Sequence, residues 1–254
     1  EVERRAYADR SEHMGDPDFW SVPVEMLTSK NYANNRIKDI SFSLASKSKD
    51  VFSGDPYKKE NTETTHYSII DRSGNAISVT TTLNTNFGSG IVVRGAGFFL
   101  NNEMDDFVSK PGTPNYYGLV GNEANSIEAN KRPLSSMTPT IVIRNGSPFI
   151  ILGSPGGSTI ITSVMQVILN TTIFGMNIQE AVSSPRFHSQ WLPDMIMIEP
   201  KSFPKDIINN LKKRGHNISI YRSGYIGEVN AILINEDSFY GAADVRTDGS
   251  AISY

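Results

Sequence analysis

The sequence predicts an α+β fold in which sheets are layered with helices, and three observations point there. A β-branched run starts abruptly at Thr64 and resumes after a short break. Two further strand-like runs, 138–144 and 147–153, are joined by Asn145 and Gly146, a dipeptide suited to a tight hairpin turn. An apolar stretch from Ser158 to Phe174 has the length and composition of a buried helix.

Taken in order, residues 1–40 read as helical, most clearly over 23–40, where Pro23 suits a first helical turn. Residues 41–63 are polar and lysine-rich and read as an exposed connector. The run TTHYSIID then leads through Arg72, Ser73 and Gly74 into NAISVTTTL, a hairpin with glycine at the left-handed loop position. Counting outward from Asp71 and Asn75 sets Thr64 opposite Thr82. Alternation gives a small polar face (Thr64, His66, Ser68, Ser78, Thr80, Thr82, Asn84). The opposite face (Tyr67, Ile69, Ile77, Val79, Leu83) is apolar and is expected to pack. A strand is expected at 97–101. The stretch 102–136 lacks periodicity, and Pro111, Gly112, Pro114, Tyr116, Tyr117 and Gly118 give it the composition of a lid. A helix at 204–214 and strands at 228–235 and 239–243 complete the pattern, without internal repeats.

Bulk properties exclude several classes. The 254 residues are 38% hydrophobic with a net charge of −3, and no dense basic run suggests nucleic acid. No apolar run is long enough for a membrane span. The absence of cysteine removes disulfides, thiol nucleophiles and thiolate metal sites. His13, His66, His188 and His216 show no metal-ligand spacing, so neither metal nor cofactor is expected, and His66 reads as a support of the polar face. The first residue is Glu1, with no leader pattern after it, and the chain reads as a fragment or processed product.

Four groups of residues carry possible chemistry. A threonine hydroxyl is a poor nucleophile without an adjacent base. Cleavage of the Glu63–Thr64 bond would supply one, because the new α-amino group has a pKa of about 7.7–8.0, against about 10.4 for lysine. Read locally, Thr64 fits an ordinary strand residue better than a nucleophile. The segment GSPGGS (153–158) joins a strand to the buried helix. Its Gly156 and Gly157 permit close backbone approach, either as an oxyanion-binding loop or as a tight turn. Glu103 and Asp106 in NNEMDDF could clasp an ammonium group or could be solvated acids. Ser135 and Ser136 in KRPLSSMTP could bind a carboxylate or simply form a turn.

Together these segments resemble the γ-glutamyltransferase family of N-terminal-nucleophile hydrolases. The resemblance rests on TTHYS (64–68), TTLNT (81–85), GFFLNNEMDDF (97–107), PNYYGLVG (114–121), NKRPLSSMTPT (130–140), GSPGGS (153–158) and PRFHSQWLP (185–193), in the family's order. It implies a four-layer αββα sandwich, with residues 1–63 as the tail of a large subunit and 64–254 as the small, catalytic subunit. It also implies self-cleavage before Thr64, then transfer of the γ-glutamyl group of glutathione or related amides to water, amino acids or peptides. The roles implied are nucleophile for Thr64, with Thr82 supporting it, and oxyanion hole for Gly156 and Gly157. Asn84, Glu103 and Asp106 would hold the substrate α-amino group, Ser135 and Ser136 its α-carboxylate, and Tyr117 would gate a lid at 111–121. The remaining large subunit, with an arginine for the carboxylate, becomes an expected partner, and a periplasmic or extracellular location is implied. The alternatives are a poly-γ-glutamate depolymerase, an acylase of the same design, or a catalytically silent homologue.

Overall fold

A tight three-residue loop nucleates the first hairpin. Asp71 accepts hydrogen bonds from the backbone N–H groups of Ser73 and Asn75 at 2.9 Å, and Gly74 takes the left-handed conformation (φ 83°) that a Cβ would resist. Strands β1 (Thr65–Ile70) and β2 (Ala76–Thr81) pair antiparallel with Thr65 opposite Thr81, the register counted from the sequence. The computed structural model describes residues 1–51, 64–221, 224–236 and 238–253. These fall into two compact units, one drawn from Glu1–Glu60, Glu103–Ser135 and His188–Ile220, the other from Asn61–Asn102, Ser136–Phe187 and Tyr221–Tyr254.

The second unit holds the regular sheets. Strands β3 (Thr140–Arg144) and β4 (Ser147–Gly153) turn at Asn145 and Gly146, both at positive φ. With β8 (Asn230–Asn235) and β9 (Ser238–Ala242) they form an antiparallel sheet of order β3-β4-β8-β9. Helix α4 (Thr159–Thr172) is rich in β-branched residues, which have modest helix propensity. Its burial compensates. Ile160, Val164 and Val167 repeat at helical spacing and pack with Ile150, Leu152, Val229 and Ala231, each buried isoleucine, leucine or valine contributing about 1.5–3 kcal/mol. Helix α5 (Ile178–Ser183), which the sequence reading missed, joins this core and starts in a complete capping box between Asn177 and Glu180. Its six residues are too short to show a period.

The β1–β2 hairpin packs on β4, and here the expectation inverts. The polar face packs. His66 is buried, its ring lying against Gly153 where a Cβ would collide. The Ser78 hydroxyl donates to the Leu152 carbonyl (2.9 Å) and accepts from the Thr140 N–H (3.1 Å). Small hydroxyl side chains let two sheet layers approach closely while satisfying their polar groups. The apolar face is the one left open, with Tyr67, Ile69 and Ile77 each about half exposed.

In the first unit, helix α1 (Val2–His13) precedes short helices α2 (Val24–Leu27) and α3 (Lys30–Arg36). The expected helix over 23–40 is thus broken, because the Ser29 hydroxyl caps α3 by accepting the Tyr32 N–H, and Pro23 precedes α2 instead of opening a long helix. The connector expected at 41–63 is exposed at 41–44, but Ser48 and Val51 are buried, Ser48 being held by Arg4 and Trp191. Its remainder, 52–63, lies outside the described residues. A small sheet of order β5-β6-β7 (Phe187–His188, Ile196–Ile198, Ile218–Ile220) was not foreseen, its strands being only two or three residues long. The helix expected at 204–214 is α6 (Lys205–Lys213). The expected strand at 97–101 contributes only the isolated bridge between Val92 and Phe99. No helix among the described residues is long and apolar enough to cross a membrane.

Candidate active site

The candidate residues divide between the two units, and the sheet-bearing unit contains the hydroxyl pair. Thr64 immediately precedes β1, half-buried, with its hydroxyl 3.4 Å from that of Thr82. That is long for two hydroxyls, whose ordinary separation is about 2.7–2.8 Å. The Thr82 oxygen also accepts the Asn84 N–H at 2.8 Å. This is possible because Asn84 turns the chain at positive φ (74°), a conformation asparagine tolerates better than most residues. The Asn84 side chain is buried and its Nδ2 donates to the Asn102 carbonyl at 3.1 Å. Asn102, which no sequence signal singled out, also accepts from the backbone N–H and the hydroxyl of Thr85.

The glycine loop lies between β4 and α4 in the same unit. Gly156 adopts φ 134° and Gly157 φ 54°, and both are buried. The Gly156 carbonyl accepts the Thr159 N–H and hydroxyl at 3.0 and 2.7 Å, and the Gly157 carbonyl accepts the Ile160 N–H at 3.2 Å. Both carbonyls are therefore committed to the start of α4. A Cβ on Gly156 would come within 2.6 Å of the Thr159 hydroxyl and 3.3 Å of Gly227 Cα. His66, beneath this loop at Gly153, is bonded through both ring nitrogens to Thr80 and Ser68, and burial lowers its pKa to about 4, so it stays neutral. Ser136 is half-buried in this unit, and its carbonyl accepts the Thr138 hydroxyl.

The other unit holds the acids and Ser135. Glu103 and Asp106 sit in one short 3-10 turn and are hydrogen-bonded to each other. Burial raises both carboxyls, and Asp106 is pushed up to about 7, the charge of Glu103 adding to burial while Arg10 opposes it. Tyr117 is buried nearby, its phenol raised by burial and by the two acids. The loop carrying it is internally braced. The Asn115 side chain accepts the Tyr117 and Leu119 N–H groups, Asp105 accepts the Tyr116 N–H at 2.8 Å, and Gln190 donates to the Tyr117 carbonyl at 3.0 Å. Ser135 is half-buried and follows Leu134, whose carbonyl accepts from the buried Arg10 at 3.4 Å. Sequence reasoning missed Arg10, Asn125 and Gln190. Arg10 bonds the Leu134 carbonyl, Asn125 the Asp106 carbonyl and Leu134 N–H, and Gln190 the Tyr117 carbonyl, all nine or more residues away, which no local pattern records. Among the described residues no cluster suits a metal ion.

An α+β chain with a threonine hydroxyl pair at a strand start and a glycine loop opening a buried helix defines a class of hydroxyl-bearing, mixed helix-and-sheet proteins. The comparisons narrow it: the family model described as gamma-glutamyltranspeptidase matches residues 1–254, and the chain belongs to that family. It is 48% identical over 248 residues to a glutathione hydrolase proenzyme of Escherichia coli K12, covering 97% of this chain and 42% of that one. This chain therefore spans less than half of that relative. A solved gamma-glutamyltranspeptidase variant of Helicobacter pylori is 57% identical, with a TM-score of 0.70, over 72% of this chain and all of that one. The enzyme of Pseudomonas nitroreducens complexed with L-DON is 45% identical, with a TM-score of 0.72, over 75% of this chain and 99% of that one. A cephalosporin acylase of Bacillus halodurans is 28% identical, with a TM-score of 0.80, over 99% of this chain and 43% of that one.

Proposed function

We propose that this chain is the self-cleaving, catalytic portion of a γ-glutamyltransferase and glutathione hydrolase, with Thr64 as nucleophile. The observation that carries the reading is the hydroxyl of Thr64 set against that of Thr82, itself fixed by the Asn84 N–H at the head of β1. Maturation begins when Thr64 Oγ attacks the Glu63 carbonyl, which lies outside the described residues. The peptide nitrogen leaves as the Thr64 α-amine, and water hydrolyses the resulting ester. That amine, with a reference pKa of about 7.7–8.0, then takes the Thr64 hydroxyl proton as the oxygen attacks a γ-glutamyl carbonyl. The N–H groups of Gly156 and Gly157 receive the oxyanion, the amine leaves with a proton, and a γ-glutamyl ester remains on Thr64. Water or an amino acid or peptide acceptor resolves it.

In this scheme Asn84, Glu103 and Asp106 hold the α-ammonium group of the donor, and Ser135 and Ser136 hold its α-carboxylate. The raised pKa of both acids supports this assignment, because two buried carboxyls that repel one another gain from a further cation placed between them. Tyr117 closes the lid. Residues 1–63 end the large subunit and 64–254 form the small one. The span from Thr64 onward is three quarters of the sequence, matching the share aligned with nearly the whole Pseudomonas nitroreducens chain. The rest of the large subunit, the proposed partner, completes the four-layer sandwich and covers the apolar face of Tyr67, Ile69 and Ile77.

The full-length Thr64→Ala protein is expected to run as one uncut band on a denaturing gel and to release nothing from γ-glutamyl-p-nitroanilide. Thr64→Ser is expected to cleave, and the mature native subunit to begin TTHYS on N-terminal sequencing. Two bands from the alanine variant would remove Thr64 from its role. Release of glutamate from poly-γ-glutamate in preference to the anilide would favour a depolymerase.

A further inference from the structure

We propose that the side-chain amide of Asn125 is a positioning residue that fixes the spacing between the ammonium-binding and carboxylate-binding halves of the donor head-group site. The inference rests on the head-group assignment above and adds what holds its two halves in register.

Asn125 is buried, and each end of its carboxamide is committed. Nδ2 donates to the Asp106 carbonyl at 2.7 Å, and Oδ1 accepts the Leu134 N–H at 3.0 Å. Its backbone carbonyl takes the Val108 N–H at 2.8 Å, so the residue grips the acid turn on both sides of Phe107. One side chain thus ties the acid turn to the residue before Ser135, across 19 positions in one direction and 9 in the other. All three segments lie in the same compact unit.

The chemistry of the tie is restrictive. It needs one donor and one acceptor on a short, uncharged side chain, and among common residues of this length only asparagine offers both. Aspartate keeps the acceptor for Leu134 but turns a second negative oxygen toward the Asp106 carbonyl. Alanine removes both bonds. The three residues also line a cavity of about 120 Å³, so once the tie is cut the acid turn and the segment before Ser135 have room to move. Both segments belong to the aperiodic stretch 103–135, where no strand or α-helix fixes their separation. Two groups binding one small head group act together only while their spacing is held, and an error of about 1 Å can cost about a hundredfold.

The test uses the full-length mature protein, its Asn125→Asp and Asn125→Ala variants, and three anilide donors. One donor carries the complete γ-glutamyl head group, one lacks the α-amino group (glutaryl), and one lacks the α-carboxylate (4-aminobutyryl). Active sites are counted by covalent titration, so that misfolded material does not enter kcat. The wild type is expected to bind the complete donor much more tightly than either truncated one. In both variants KM for the complete donor is expected to rise about tenfold or more, while KM for the truncated donors changes about threefold or less. A residue serving only stability would lower the number of active sites and leave all three KM values in their wild-type ratio, which would overturn the proposal. Loss of maturation in both variants would overturn it as well, by assigning Asn125 to folding. A wild type indifferent to the three donors would instead sink the head-group assignment, and this inference with it; an Asp106→Asn control with unchanged KM would mark that same failure.

Discussion

The hydroxyl pair and the acid turn belong to the same proposed reaction but are built in opposite ways. Thr64 and Thr82 are fixed by a strand register that repeats every two residues, and the hairpin beneath them is hydrogen-bonded through β1 and β2. Glu103, Asp106 and Ser135 sit in a stretch whose only regular pieces are two 3-10 turns. There, side chains such as Asn125, Asn115 and Gln190 supply the bonds that a ladder supplies in the hairpin. The lesson is that the proposed nucleophile is placed by periodic backbone, whereas the geometry of the proposed head-group site depends on individual side-chain ties. Damage to the first region should therefore appear in kcat, and damage to the second in KM.

The largest expected effect tests the first half of that contrast. Gly156→Ala places a methyl group against the Thr159 hydroxyl and Gly227, at a φ of 134° that side chains rarely adopt. If Gly156 N–H is the oxyanion donor proposed above, displacing it should lower kcat about a hundredfold to a thousandfold, with KM for the donor nearly unchanged. Steady-state kinetics per titrated active site measure both. A variant whose loss lies wholly in KM would break the division between the two regions.

Next in size is the pH response of the acid turn. Without a ligand, Asp106 is pushed up to about 7, mainly by burial and then by Glu103. It is therefore largely neutral below that pH and ionised above it, and a cationic head group prefers the ionised form. KM for the donor should fall as pH rises through about 7, until the donor amine itself loses its proton. Stability runs the other way. A carboxyl whose folded pKa is raised favours the folded state most below its unfolded value of about 3.9, and that contribution is lost as pH rises through about 7. In Asp106→Asn the KM profile should flatten, and KM at pH 8 should be about tenfold to a hundredfold higher, the usual worth of a hydrogen bond to a charged group. An unchanged profile would detach Asp106 from ammonium binding.

The same contrast explains what the sequence disclosed. The β1–β2 register, the Asn145–Gly146 turn, α4 and the pairing of Thr64 with Thr82 follow from period and turn chemistry, and each was readable from local residues. The choice of buried face was not. Hydrophobicity alone assigned Tyr67, Ile69 and Ile77 to the core, but the hydroxyls of Ser78 and Thr80 and the small Gly153 decide which side of the hairpin meets β4. Composition cannot say where a second layer lies, especially in a chain spanning less than half of a full-length relative. The sheet β5-β6-β7 escaped because two- and three-residue strands carry no period. Asn125 escaped because its partners are 9 and 19 residues away. The pattern of motifs, rather than any single motif, carried the family resemblance.

The smallest expected effect is a control that sharpens the comparison from the stability side. Asn177 accepts the Glu180 N–H at 2.9 Å, and the Glu180 carboxylate accepts the Asn177 N–H at 3.1 Å, closing the first turn of α5. This is also a side-chain tie, but it serves a helix end packed on the core of the sheet-bearing unit, and its two hydrogen bonds run only between Asn177 and Glu180. Asn177→Ala should cost about 1 kcal/mol of stability. For a domain of this size that is a fall of about 2–4 °C in Tm, with kcat and KM per active site unchanged. Differential scanning calorimetry and the same kinetic assay read both quantities on one preparation. If removing this cap shifted KM as strongly as removing the Asn125 tie, KM would be reporting global loosening, and the distinction between periodic and side-chain-held regions would lose its functional meaning.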